Sequence, residues 1–185
     1  MHSSSTEPTT GGHDEFMTVV DNHIWFYSDI EDIFCMHLNA MLRKIDRDIA
    51  AQPNPVIYLH IHSYGGSVIS ALSTIDTIRN LRSSVHTIVE GGAASAATLI
   101  SCIGARRFIG KHSFMLIHQV RGDNSGKLDE MEEQLQNTRQ FMDTIKRIYK
   151  TCTKIPAKRM EELLKSDKWL DADSCLALGL VDEVI

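Results

Sequence analysis

Positive charge is in short supply in this chain: 19 Lys and Arg stand against 24 Asp and Glu, for a formal net charge of −5. No global positive field remains to hold a phosphate backbone, which sets nucleic acid aside as a partner. Long apolar runs are missing too. None approaches the roughly 20 residues that a membrane-spanning helix needs, so no membrane association is expected. The four cysteines, Cys35, Cys102, Cys152 and Cys175, lie far apart and form no C-x-x-C pair. They suggest neither a zinc ribbon nor a small disulfide scaffold, and a reduced, cytoplasmic setting suits them. The opening MHSSSTEPTTGGHDEF lacks the basic start and the apolar stretch of a secretory signal. Residues 1–17 are therefore expected to form a disordered polar leader, and 18–185 a single domain of ordinary size.

What is present is an alternation of strand and helix patterns. TVVDNHIWFYSDI reads as a strand and turn, and IFCMHLNAMLRKIDRDIA comes after it with helical spacing. VIYLHIH alternates as a strand does; SYGGS closes it before a helix that carries Val68, Leu72 and Ile75 on one face. SVHTIVE is a further strand, GGAASAATLISCIG reads as a helix opened by two glycines, and ARRFIGKHSFMLIHQV supplies two strands around Gly110. Such alternation predicts an α/β fold. After the turn RGDNSG, Leu128, Met131, Leu135, Met142, Ile145 and Tyr149 mark a long helix with a narrow apolar stripe, interrupted at Thr138. That stripe suits either a partner helix or the helix's own core. Pro156 opens a shorter helix, Asp173 or Ser174 caps another that stops at Gly179, and LVDEVI ends the chain as a strand.

Within EGGAASAATLISCIG, Ser95 stands among glycines and alanines. A serine there either serves close helix packing or sits at a helix start, where free N–H groups favour developing negative charge. A nucleophilic serine needs a base, and His118 in FMLIHQV is the candidate, since an imidazole on an apolar strand is costly unless it is used or bonded. The glycines of SYGGS fit a backbone turn that brings N–H groups to a substrate carbonyl, and equally an ordinary loop. Ala93 and Ala97 replace the glycines of a G-x-S-x-G elbow, which disfavours the α/β-hydrolase arrangement. His60 and His62 share a strand face, yet no third and fourth ligands stand at a metal-site spacing, so no metal is assigned. Asp167 precedes Trp169 and Leu170, apolar neighbours that would help bury it as the group orienting a histidine, although by itself it reads as a surface aspartate near a helix end.

Taken in order, SYGGSVISALSTIDTIR, EGGAASAATLISCIGARRF, FMLIHQ and SDKWLDADSCLALGLVDEVI resemble the signature segments of the Clp protease proteolytic subunit family, over roughly Ile24 to Ile185. The resemblance implies an α/β fold of the Clp protease and crotonase kind, with repeated strand–strand–helix units and a protruding long handle helix in a handle region at about 119–150. It implies a serine endopeptidase with Ser95 as nucleophile, His118 as general base and Asp167 as the orienting acid. The backbone N–H groups of Gly66 and Ala96 take the oxyanion-hole positions. It further implies self-association into two stacked heptameric rings around a chamber that takes peptides and unfolded proteins. No bound cofactor is implied; ATP is used by a partner unfoldase of the AAA+ type.

Several positions depart from the family pattern. Tyr64 and Val120 stand where prolines are usual, the chain is two residues shorter around Ala105, and the aromatic docking positions for the unfoldase read Tyr58, His60 and Asn80. The N-terminal segment does not match that of the family. Alternative readings remain: a lysine base, for which Lys111 is the nearest candidate; an acyl-coenzyme A enzyme of the same fold; or a catalytically inactive structural ring subunit.

Overall fold

A computed structural model of the chain describes residues 17–122 and 125–185. The expected leader lies outside the described residues except for Met17, which begins a strand. The chain opens as a hairpin of β1 (Met17–Val20) and β2 (His23–Phe26), with Asp21 at φ 53° in the turn. TVVDNHIWF is thus two strands and not one. A left-handed Asp followed by Asn is a tight-turn signal that the run of β-branched and aromatic residues masked.

Next come α1 (Asp32–Asp48), β3 (Val56–Ser63), α2 (Val68–Arg79) and β4 (Ser84–Ala94), then α3 (Ala96–Cys102), β5 (Arg106–Ile109) and β6 (Phe114–Leu116). The long α4 (Leu128–Cys152) precedes α5 (Ala157–Leu164), β7 (Leu170–Asp171), α6 (Ala172–Ala177) and β8 (Glu183–Val184). The strands form one sheet in the order β1-β2-β3-β4-β5-β8, with β6 paired to the far end of β4 and β7 paired to β6. All pairings are parallel except β1 with β2 and β6 with β7. This is an α/β fold. Inward-facing Ile57, Leu59 and Ile61 of β3 and Val85 and Val89 of β4 belong to a continuous core with Leu38, Leu42 and Ile45 of α1 and Ala71 and Ile75 of α2.

Two details of β4 set the position of the serine beyond it. The strand runs on through Gly91 and Gly92 to Ala94, so the two glycines lie in a strand and do not open the helix as their sequence suggested. Its register against β3 also shifts: Ile61 pairs with Val89, but Ser63 pairs with Ala93. Two extra residues of β4 are taken up there as a bulge. Beyond it β4 leaves β5, to which it paired through His86 to Val89, and joins β6 through Gly92 to Ala94.

Helix α6 is capped by Asp171, whose carboxylate accepts from the Ser174 N–H at 2.9 Å, and not by Asp173 or Ser174. Helix α4 is continuous through Thr138, whose hydroxyl bonds back to the Gln134 carbonyl at 2.9 Å. Only Ile145, Ile148 and Tyr149 near its C-terminus are buried. Leu128 and Leu135, earlier on the apolar stripe, are exposed. Among the described residues no helix is long and apolar enough to cross a membrane.

Candidate active site

Ser95 occupies the single residue between the end of β4 and the start of α3, and takes φ 54°, ψ −125°. A side chain at positive φ is disfavoured and persists only where its surroundings over-determine it. Here they do. The Ser95 N–H donates to the Leu116 carbonyl at 2.8 Å, extending the β4–β6 ladder by one step, and the Ser95 carbonyl accepts from the Thr98 hydroxyl at 2.6 Å. All seven residues of α3 behind it are buried.

The SYGGS turn comes against Ser95 from β3. Gly65 has φ 99°, and a Cβ there would stand 2.7 Å from both the Ala94 oxygen and the Ser95 Cβ. Gly66, at φ 143°, would meet the Ile30 carbonyl oxygen. The bridge to Ile30 uses the Gly65 carbonyl and the Ser67 N–H, at 2.8 and 2.7 Å, which leaves the Gly66 N–H outside it. Ala96, as the first residue of α3, carries an N–H without an intrahelical acceptor.

His118 and Asp167 are brought together by the antiparallel pairing of β6 with β7. Met115 pairs with Leu170; three residues on from the one and three back from the other are His118 and Asp167. His118 therefore lies just past the end of β6, not on the strand itself. Its Nδ1 stands 3.2 Å from Asp167 Oδ1, and the other carboxylate oxygen accepts from the Arg121 guanidinium at 2.7 Å. The His118 side chain is 13% exposed and that of Asp167 59%. The expected burial of Asp167 by Trp169 does not occur: the indole turns to Tyr64, ring centroids 6.3 Å apart and perpendicular, and lies over Gly92. It braces the segment that carries Asp167 without covering the carboxylate.

Ser95, His118, Gly66 and Ala96 line one cavity of about 460 Å³, with Arg121 and, from α4, Phe141, Ile145 and Tyr149. No hydrogen bond joins Ser95 to His118 among the described residues. Catalytic hydrogen bonds often tighten only when substrate is bound. Tyr149 bonds Thr98 through its hydroxyl at 2.6 Å, and burial pushes its phenol up, so it is a neutral structural tie between α4 and the helix behind Ser95. Arg121, Tyr149 and Trp169 were not singled out as site residues from the sequence. Tyr149 carried only an apolar-stripe signal, and Arg121 lay in what read as a turn.

The remaining candidates fall elsewhere. Lys111 sits after β5, its backbone N–H bound to the Ile185 carbonyl at 2.9 Å, and is not among the cavity-lining residues. His60 and His62 face away from the core: His60 bonds Glu90 at 2.6 Å and His23 at 2.9 Å and stacks on Trp25, while the Gly92 N–H donates to His62 at 3.2 Å. Among the described residues no group of three or more His, Cys, Asp or Glu is arranged to hold a metal ion. The cysteines are free; burial pushes the Cys175 thiol up to about 12 and raises that of Cys102, so neither offers a thiolate nucleophile at neutral pH.

Comparison with known proteins points to one family. The Clp protease family model matches residues 14–185. The ATP-dependent Clp protease proteolytic subunit of Streptococcus mutans serotype c is 33% identical over 171 residues, covering 89% of this chain and 85% of that protein. The protein of the same name from Streptococcus suis is 30% identical over 172 residues, with the same shares covered.

Proposed function

Because this chain belongs to the Clp protease family, a family of serine peptidases, we propose that it is a serine endopeptidase in which Ser95, His118 and Asp167 act as the catalytic triad. The observation that carries this reading is the backbone of Ser95, held at φ 54° on the wall of the cavity that also holds His118, whose Nδ1 lies 3.2 Å from the Asp167 carboxylate. A packing serine would have no reason to adopt that conformation.

In the proposed reaction His118 takes the Ser95 proton as the serine oxygen attacks a peptide carbonyl, giving a tetrahedral oxyanion. The N–H groups of Gly66 and Ala96 are the donors assigned to that oxyanion. His118 then gives its proton to the departing amine, leaving an acyl group on Ser95; a water activated by His118 releases it. Asp167 holds the imidazole and stabilises its cationic form. These groups supply the nucleophile, the proton carrier and the charge stabilisation, so the chemistry calls on no metal or bound cofactor.

Residues 18–185 would form one peptidase domain, with the handle region at about 119–150. The apolar positions that α4 leaves exposed, Leu128 and Leu135, support burial of that helix against a second copy, as in stacked heptameric rings. Peptides and unfolded polypeptides would be the substrates, with an ATP-hydrolysing unfoldase as the feeding partner. The first test is intact-mass detection of a fluorophosphonate adduct on the full chain. One adduct, lost in both Ser95→Ala and His118→Ala, is the expected result. No adduct from an assembled sample would favour a catalytically inactive ring subunit.

A further inference from the structure

Asp167 is poorly provided for by its surroundings. It belongs to a stretch without regular structure between α5 and β7, its carboxylate is 59% exposed, and its contact with His118 is 3.2 Å long. A solvated carboxylate with one such partner is free to turn and to exchange that partner for water. The second oxygen, however, is taken by Arg121 at the shorter distance of 2.7 Å. With Oδ2 held there and Oδ1 toward His118, the carboxylate plane is set by two residues that stand three apart on the same piece of chain. That piece is tied in turn to the acid's own segment, since the Gln119 N–H donates to the Leu164 carbonyl at 2.8 Å.

We propose that Arg121 is a positioning residue that orients the Asp167 carboxylate for His118, an inference that rests on the triad reading above. The chemistry suits the role: a guanidinium stays charged at every working pH and offers planar, directional donors to a carboxylate. Lys165 and Lys168 flank Asp167 in sequence, yet among the described residues neither forms an ion pair with it. Arg121 also lines the cavity with Ser95 and His118, so the clamp stands at the site and not behind it.

The exposure of both partners sets the size of the effect. Ion pairs in such settings contribute at most about 1 kcal/mol, which translates to roughly a two- to fivefold change in rate. The test uses the full chain and a short fluorogenic peptide, comparing Arg121→Ala, Arg121→Lys, Asp167→Asn and the double variant Arg121→Ala/Asp167→Asn. Arg121→Ala is expected to lower kcat by that factor with KM and melting temperature little changed, and Arg121→Lys to restore most of it. In the Asp167→Asn background the Arg121→Ala change should add nothing, because its only route to the chemistry has been removed.

A normal rate for Arg121→Ala beside a slow Asp167→Asn overturns the proposal and leaves the triad standing. So does an Arg121→Ala effect confined to KM, or one of undiminished size in the double variant. If Asp167→Asn itself has no effect, the triad reading fails and Arg121's role fails with it.

Discussion

Ser95 and Asp167 stand at the two ends of the proposed relay and are held in opposite ways. Ser95 is fixed by backbone: a ladder bond to Leu116, a buried helix behind it, and a glycine turn too close to admit a side chain. The Asp167 carboxylate, on an exposed segment, is oriented by side chains, those of His118 and Arg121. A position defined by the backbone fails only when the fold is disturbed, whereas one defined by exposed side chains can be tuned without touching stability. The nucleophile is thus part of the architecture, and the acid is an adjustment laid over it.

Gly65→Ala tests the architectural end and should have the largest effect. Its Cβ would collide with Ala94 and Ser95 in a conformation that L residues avoid, so activity should be lost together with stability, by about 2–3 kcal/mol or more. Loss of activity with an unchanged denaturant midpoint would break the contrast. At the adjustable end, Asp167→Asn should lower kcat by roughly 10²- to 10⁴-fold, the upper figure being that of a buried triad acid, while thermal unfolding stays at the wild-type temperature. A large drop in melting temperature would show that Asp167 is structural after all.

A second Arg–Asp pair sharpens the point, because it couples the same groups in a different setting. Arg107, whose side chain is 12% exposed, donates to both oxygens of Asp182, at 3.0 and 2.5 Å, and to the carbonyls of Cys152 and Gly179. Arg107→Met should cost about 2–3 kcal/mol, since those acceptors lose their donor, and urea unfolding measures it. The smallest effect concerns pH. The bonds from Arg107 hold the Asp182 carboxyl below its usual range. The stabilisation is fully present above the unfolded-state value near 4 and is lost as pH falls through the lower folded value. Asp182→Asn should flatten that acid limb of the stability curve; an unaltered limb would assign the sensitivity to other carboxylates.

The division between backbone and side-chain control also explains what was legible in the sequence. Strand β3, helix α2 and the long α4 are readable from periodicity, and the SYGGS turn from its glycines, because these depend on neighbours in the chain. Ser95 and His118 could be singled out as candidates through short motifs for the same reason. Gly91 and Gly92 were misread as a helix opening because glycine reports backbone freedom without saying which element uses it. The exposure of Asp167 and its pairing with Arg121, 46 residues away, left no local trace. Such a contact exists only once β6 and β7 have paired.

The register shift in β4 gives the place of the nucleophile a curious arithmetic. With Ser63 opposite Ala93, the next steps put Gly65 opposite Ser95; in unbroken register Gly65 would have faced Ala93. Two residues of strand correspond to about 7 Å. The same chain without the bulge would keep its strand, its helix and its serine, and would carry that hydroxyl two residues past Gly65, to the wrong part of the glycine turn. The site is specified by a count of residues as much as by their identity.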